Sequence, residues 1–228
     1  MEEKTRAEVI AAALRRAIIE QALEPGAKLP EDMVGESFGV SRTIARRALD
    51  LLASEELVEF RHNRGAAVAK PSLAEGRDLF GVRIDLERVV ARRLTGTLGN
   101  DDLARLTVMV EREHAAHDNG LPEYIRLAAE FHCVLGEMTG SPVLSRLLAQ
   151  LVWRSALVLR IHGKPRWDSC NIREHRHLID ALAGRDPAKA DALMLQHLNS
   201  VLLRALDSDE RVRDSEPEEV LLRYAKTA

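Results

Sequence analysis

Aromatic residues make up only 4% of this 228-residue chain, and cysteine occurs twice. So few rings exclude the platforms on which single-stranded nucleic acids stack their bases. They also require a core built from Leu, Val, Ile and Ala. Cys133 and Cys170 form neither a disulfide framework nor the paired spacing of a metal finger, which fits a reducing cytoplasm. Apolar runs of bilayer length are missing because charges interrupt every stretch, and the N-terminus lacks the apolar core of a signal peptide. The expectation is a cytoplasmic protein with no membrane partner. Positive charge is not in excess either, since 33 Lys and Arg against 36 Asp and Glu leave a net charge of −3. Any nucleic-acid contact must come from local basic clusters rather than from a basic whole.

What is present is the composition of a globular protein, 46% hydrophobic and 30% charged. Val9, Ile10, Ala13, Leu14, Ala17 and Ile18 recur at helical spacing and predict a first helix over about 5–21. It stops before Pro25 and Gly26. A short helix follows over 31–38, then a tight turn at Gly39 and Val40, then a third helix capped by Ser41 and ending near residue 54. The segments LVEF (57–60) and AAVA (66–69) flank a polar tip, the signature of a β-hairpin. Three helices followed by a hairpin are the layout of a winged helix-turn-helix, here assigned to residues 1–70, with 71–74 as linker.

Beyond the linker the periodicity is helical throughout. Helices are expected over about 75–97, 101–118, 122–139, 142–162, 169–184 and 187–207. Asn100, Ser141 and Asp186 are N-cap types, and Pro122, Pro142 and Pro187 suit first-turn positions. Such punctuation predicts an all-α antiparallel bundle over 75–208, followed by a charged tail (209–228) with at most a short helix near 218–225. The fold class is mainly α.

Chemistry concentrates in two places. At the start of the third helix, Ser41, Arg42, Thr43 and Arg46 cluster on the side away from the apolar face. Arginine reads guanine with two parallel hydrogen bonds or clamps phosphates, and Ser and Thr bond phosphate oxygens. The hairpin tip adds Arg61, His62, Asn63, Arg64 and Gly65. The alternative is that these are ordinary solvated charges on a small domain.

Residues 23–68, LEPGAKLPEDMVGESFGVSRTIARRALDLLASEELVEFRHNRGAAV, resemble the DNA-binding domain of GntR-family regulators. The family pattern is L-x-PG-x-x-L, then GVSRTPVREAL, then a GLV-x-x-x-x-N-R-G-A-x-V wing. Ile44 stands where the family usually has Pro, Arg47 where it has Glu, and Glu56 where it has Gly. Arg47 adds a positive charge and joins the candidate DNA-contacting set. The segments FGVRIDLE (80–87), EFHCVLGEMTGSPVL (130–144) and REHRHLIDALAGRDPAKADALMLQHL (173–198) are similar to the FCD effector domain of the FadR-like subfamily. That resemblance implies a divalent metal, Zn, Ni, Fe or Mn, held by an Asp and three histidines, which correspond here to His132, His175 and His197. The Asp position is Ala128, so the carboxylate ligand is missing, and Glu130 points to another face. Both a metal site and a metal-free polar lining stay open.

Asn171 lies one turn before His175, and Arg83 and Arg160 are candidate clamps for an anionic effector, with salt bridges as the alternative. The expected protein is a homodimeric repressor on double-stranded operator DNA, released by a small carboxylate-containing metabolite. Competing readings are a three-histidine metalloenzyme and a metal- or ligand-binding protein without DNA affinity.

Overall fold

The computed structural model describes residues 5–61, 65–119, 122–163, 170–205 and 217–227. The chain divides into two compact units, Met1–Pro71 together with Glu210–Ala228, and Ser72–Asp209.

The first unit opens with α1 (Arg6–Ile19), started by a capping box in which Thr5 Oγ1 accepts the Glu8 N–H at 3.3 Å and Glu8 Oε2 accepts the Thr5 N–H at 2.7 Å. Its buried face (Ile10, Leu14, Ala17, Ile18) packs on α3 (Arg42–Ser54), which offers Ala45, Ala48, Leu49 and Leu52. Between them come β1 (Lys28–Leu29) and α2 (Glu31–Phe38). Gly39, at φ +62°, ends α2 in the left-handed conformation that glycine adopts without a Cβ clash. The chain therefore turns within two residues, and Ser41 caps α3 by accepting the Ile44 N–H at 3.4 Å.

The hairpin expected from the sequence is β2 (Val58–Arg61) and β3 (Gly65–Val68), paired antiparallel with Glu59 opposite Ala67. The structure adds a third strand, β1, giving the order β1-β3-β2. Two residues are too few to show an alternating pattern, which is why β1 escaped the sequence reading. Backbone bonds hold its approach, Gly26 N–H to Val68 O and Val68 N–H to Ala27 O, both at 2.9 Å.

The second unit consists of α4 (Leu73–Leu94), α5 (Asn100–Asp118), α6 (Tyr124–Met138), α7 (Pro142–His162), α8 (Cys170–Ala183) and α9 (Pro187–Ala205). Helix α4 packs on α7 and α9, α6 packs on α5 and α7, and α8 packs on α5 and α9. Phe80, Leu79, Val158, Leu159, Val201 and Ala205 form one apolar cluster. Gly76 allows the close approach of α4 to α7, because a Cβ there would lie 2.7 Å from Val158 Cγ1. Three helix starts differ from expectation. Helix α4 begins at Leu73, inside the stretch read as linker, because Ser72 and Glu75 form a capping box. The cap of α5 is Gly99 rather than Asn100, because the Asp102 carboxylate accepts the Gly99 N–H at 3.1 Å. Pro122 lies in a turn, and α6 starts at Tyr124. Contrary to the sequence reading, α7 is long and apolar enough to cross a membrane by length and composition, with a mean hydropathy of 1.2 over the window. Leu148, Val152 and Ala156 on that helix are buried, so its apolar character serves the core.

The chain then returns to the first unit with α10 (Pro217–Ala225). Val220, Leu221 and Tyr224 are buried on the side that packs on α1 and α2. The Tyr224 hydroxyl donates to Glu20 Oε2 at 2.5 Å, and the Arg16 guanidinium lies 4.9 Å above the ring.

Glu56 sits at φ +54°, in the left-handed region, at the position where the GntR pattern carries Gly. That conformation costs a residue with a Cβ roughly 1 kcal/mol, partly offset by the extra freedom glycine has in the unfolded chain. Glu56→Gly is expected to stabilise the protein by about 0.5 kcal/mol. The check is a higher denaturant midpoint at unchanged slope; a lower one contradicts the strain.

Candidate functional site

In the first unit, the α2–α3 turn presents the N-terminal half of α3 to solvent. Ser41, Arg42, Thr43, Arg46 and Arg47 are all exposed, while Ala45, Ala48 and Leu49 face inward. The helix carries no acidic residue in its first turn. Arg46 reaches toward the wing, its guanidinium 5.5 Å from the centre of the half-exposed Phe60 ring on β2. Arg61 ends β2 beside Glu59 at 3.5 Å, and Gly65 begins β3. His62, Asn63 and Arg64 lie outside the described residues. The sequence reading missed Glu31, the first residue of α2. It binds Arg42 Nε at 2.7 Å and Arg46 Nη1 at 2.9 Å, and the hydrogen bond from Arg42 holds its carboxyl below the usual range.

In the second unit, His132 on α6, His175 on α8 and His197 on α9 converge, each at most 3% exposed. Their Nε2 atoms stand 3.1 Å apart for His132 and His197, and 3.2 Å apart for the two pairs that include His175. Each Nδ1 meets a carboxylate: Glu87 Oε2 at 2.5 Å from His132, Glu113 Oε2 at 2.7 Å from His175, and Glu174 Oε2 at 2.8 Å from His197. An ionised carboxylate only accepts hydrogen bonds, so each Nδ1 carries the proton and each Nε2 presents a lone pair. Three lone pairs then face one another in a buried space, an arrangement a cation relieves. Nitrogen ligands bonded at about 2.1 Å to one ion lie roughly 3.0–3.4 Å apart, depending on octahedral or tetrahedral angles. The observed spacing falls inside that range, so the residues fit a metal ion.

The surroundings favour neutral rings at His132 and His197. Burial lowers the His132 pKa to about 4 and moves His197 well below its ordinary value. Burial alone would raise Glu87, but the neighbouring His132 and Arg83 outweigh it and bring the carboxyl down to about 2. Burial pushes Glu174 up. Phe131 stacks on His175 with ring centres 4.4 Å apart and fixes its plane. One oxygen of Glu113, Oε1, is buried without a hydrogen-bond partner among the described residues.

The histidines open onto a small, partly open pocket. Ile125, Ala129, Ala156, Leu159 and Val201 form its apolar wall, and Arg83 and Tyr124 add polar groups. Ala128 lines it as well, placing a methyl group where the resemblance implies a carboxylate. Glu130 does not replace it, being paired with Arg126 at 2.6 Å. Arg83 gives its Nε to Glu87 at 2.6 Å, and its two terminal nitrogens make no hydrogen bond among the described residues. Arg160 is half-buried in the last turn of α7 and is not part of the lining. Asn171 lies on α8, with its side chain outside the described residues.

The three carboxylates behind the histidines were not singled out as histidine partners in the sequence. Glu113 had a readable signal, since it continues the buried stripe Leu106, Val110, Glu113 at helical spacing. A charge on an apolar face asks for a buried partner.

Comparison with known proteins gives a consistent picture. Residues 6–68 match the family described as "Bacterial regulatory proteins, gntR family", and residues 78–200 match the FCD domain. The chain is 28% identical over 200 residues to the HTH-type transcriptional repressor RspR of Escherichia coli K12, covering 82% of this chain and 83% of that protein. It is 28% identical over 221 residues to the HTH-type transcriptional repressor NanR of Salmonella arizonae, covering 87% and 83%. Among solved structures it shares the fold of E. coli McbR/YncC, with a TM-score of 0.76, 22% identity, and coverage of 88% of this chain and 98% of that one.

A metal held only by the folded chain raises stability by mass action, about 2.7 kcal/mol at a hundred times its Kd. Chelator treatment of the purified protein is expected to lower its melting temperature, and added Zn, Ni or Mn to restore it. His132→Ala and His197→Ala should abolish the response. A melting temperature indifferent to chelator and metals in the unmodified protein contradicts metal binding.

Proposed function

The chain belongs to the GntR family of bacterial DNA-binding regulators, with an FCD domain as its second unit, and from that premise we propose a homodimeric repressor released from its operator by a small carboxylate-bearing metabolite. It acts in the cytoplasm, where the operator lies. The observation that carries the effector half is the pocket in which Arg83 shares a wall with three convergent histidines.

The DNA half follows from the exposed face of α3. Arg42, Thr43, Arg46 and Arg47 enter the major groove from its N-terminal end, and Arg61, with His62, Asn63, Arg64 and Gly65, follows the backbone or the minor groove from the wing. Two copies related by a two-fold axis read two half-sites of a pseudo-palindrome.

In the second unit, the ion is a first-row divalent metal, Zn, Ni, Fe or Mn, which suits imidazole donors. His132, His175 and His197 would hold it, Glu87, Glu113 and Glu174 orient their rings, and the missing carboxylate at Ala128 leaves room for a ligand from the effector. When bound, the metal supplies a Lewis-acidic centre for an anionic group. The terminal nitrogens of Arg83 supply the paired donors that a carboxylate accepts. The apolar wall sets the shape of the remainder of the ligand. Release of DNA requires the ligand to bind one arrangement of the dimer more tightly than the other, since only differential affinity moves such an equilibrium.

Matched relatives are regulators rather than enzymes. The chemistry agrees, because the carboxylates nearest the histidines are engaged at Nδ1, away from the Nε2 side where a general base would act.

Selection from a randomised duplex library should recover a sequence with inverted half-sites. Arg42→Ala and Arg46→Ala are each expected to weaken binding to it and to reduce the salt slope by about one. In a screen of small carboxylic acids by calorimetry, the acid that releases the selected duplex should lose most of its affinity in Arg83→Ala. Unchanged affinity there removes Arg83 from the effector site, and failure to enrich any sequence sinks the operator reading.

A further inference from the structure

Arg42 and Arg46 stand one turn apart on α3, and a single carboxylate holds both. Glu31 Oε2 takes Arg42 Nε at 2.7 Å, and Glu31 Oε1 takes Arg46 Nη1 at 2.9 Å. The two arginine side chains are 68% and 59% exposed, whereas Glu31 is 14% exposed. The carboxylate is therefore the fixed member of the trio. It occupies the first position of α2, where the helix dipole favours an anion. Asp32 lies 3.5 Å from the other side of Arg42. Arg47, on the same exposed helix, has no ion pair among the described residues.

We propose that Glu31 is a positioning and specificity-determining residue of the DNA-reading surface, clasping Arg42 and Arg46 so that any duplex must take them in competition with its carboxylate. The proposal rests on the reading that these two arginines contact DNA.

The physical consequence differs between targets. A phosphate approaching either guanidinium also approaches the carboxylate a few ångströms behind it. Their repulsion subtracts from the attraction that sustains sequence-independent binding. A guanine edge offers neutral, directional acceptors for both prongs of an arginine, and it suffers less from the nearby anion. The clasp also keeps the two forks extended side by side, so less side-chain freedom is lost at the operator. Glu31 thus lowers affinity for random duplex more than for the operator.

The test measures binding of a random-sequence 30-base-pair duplex and of the selected operator, by fluorescence anisotropy over a series of salt concentrations with the full chain. Glu31→Gln is expected to tighten binding to the random duplex about three- to tenfold, with a salt slope steeper by about one. The gain at the operator should be smaller, so the operator-to-random ratio falls. In an Arg42→Ala/Arg46→Ala background the same change should shift random-duplex affinity less than about twofold. Should Glu31→Gln fold poorly by circular dichroism, Glu31→Asp, whose shorter arm cannot reach both arginines, should give a smaller gain in the same direction.

Unchanged random-duplex affinity and slope overturn the proposal, and so does weaker binding to both duplexes. A gain that persists without the two arginines overturns it as well, because Glu31 then acts as diffuse surface charge. If the Arg42→Ala/Arg46→Ala protein itself binds like the unmodified one, the DNA-contact reading falls and takes this proposal with it. If that variant binds weakly while Glu31→Gln changes nothing, only the clasp falls.

Discussion

Three buried imidazoles aimed at one point are the constraint around which the second unit is organised. Their lone pairs face one another at 3.1–3.2 Å because each ring is turned by a carboxylate at its far nitrogen. Burying carboxylates is costly unless each is hydrogen-bonded or paired. Glu87 meets that requirement with His132 and Arg83, and Glu174 with His197 and, at 3.8 Å, Arg204. Glu113 has only His175 among the described residues. A divalent ion among the histidines would draw on all three carboxylates through the rings, so ligand set and buried charge make one electrostatic unit.

That unit dictates how the helices assemble. The histidines come from α6, α8 and α9, and their carboxylate partners from α4, α5 and α8. Helix α7 contributes no donor; it supplies Ala156 and Leu159 to the apolar wall of the cavity and Val158 to the contact with Gly76. The pocket is lined by side chains from several helices at once, the arrangement in which a bound ligand would bias a whole bundle through small shifts.

In the first unit, a chain whose formal charge is −3 concentrates exposed cationic side chains locally. Four cationic or hydroxyl side chains, Arg42, Thr43, Arg46 and Arg47, occupy the exposed half of one helix whose inward half is Ala and Leu. Glu31 restrains two of them. The C-terminal helix α10 completes this unit, with Tyr224 joining Glu20 and Arg16 on α1. Residues from the two ends of the chain therefore share one fold.

Much of this was legible beforehand because it is encoded locally. Helical spacing of Ile10, Leu14, Ala17 and Ile18, the capping Ser41, and the Gly39 turn act within a few residues, and a linear pattern reports them. The three histidines were legible only through resemblance, since they stand 43 and 22 positions apart. What the sequence alone determined is which segments are helical, which faces are apolar, and where the arginines of α3 lie. Tertiary structure decided that Glu87, Glu113 and Glu174 turn the rings, that Glu31 holds Arg42 and Arg46, and that α10 joins the first unit. The reason is range. Backbone preference and amphipathic period act over one or two turns, whereas a carboxylate finds its partner across tens or hundreds of residues, once packing has removed the water that would otherwise have solvated it.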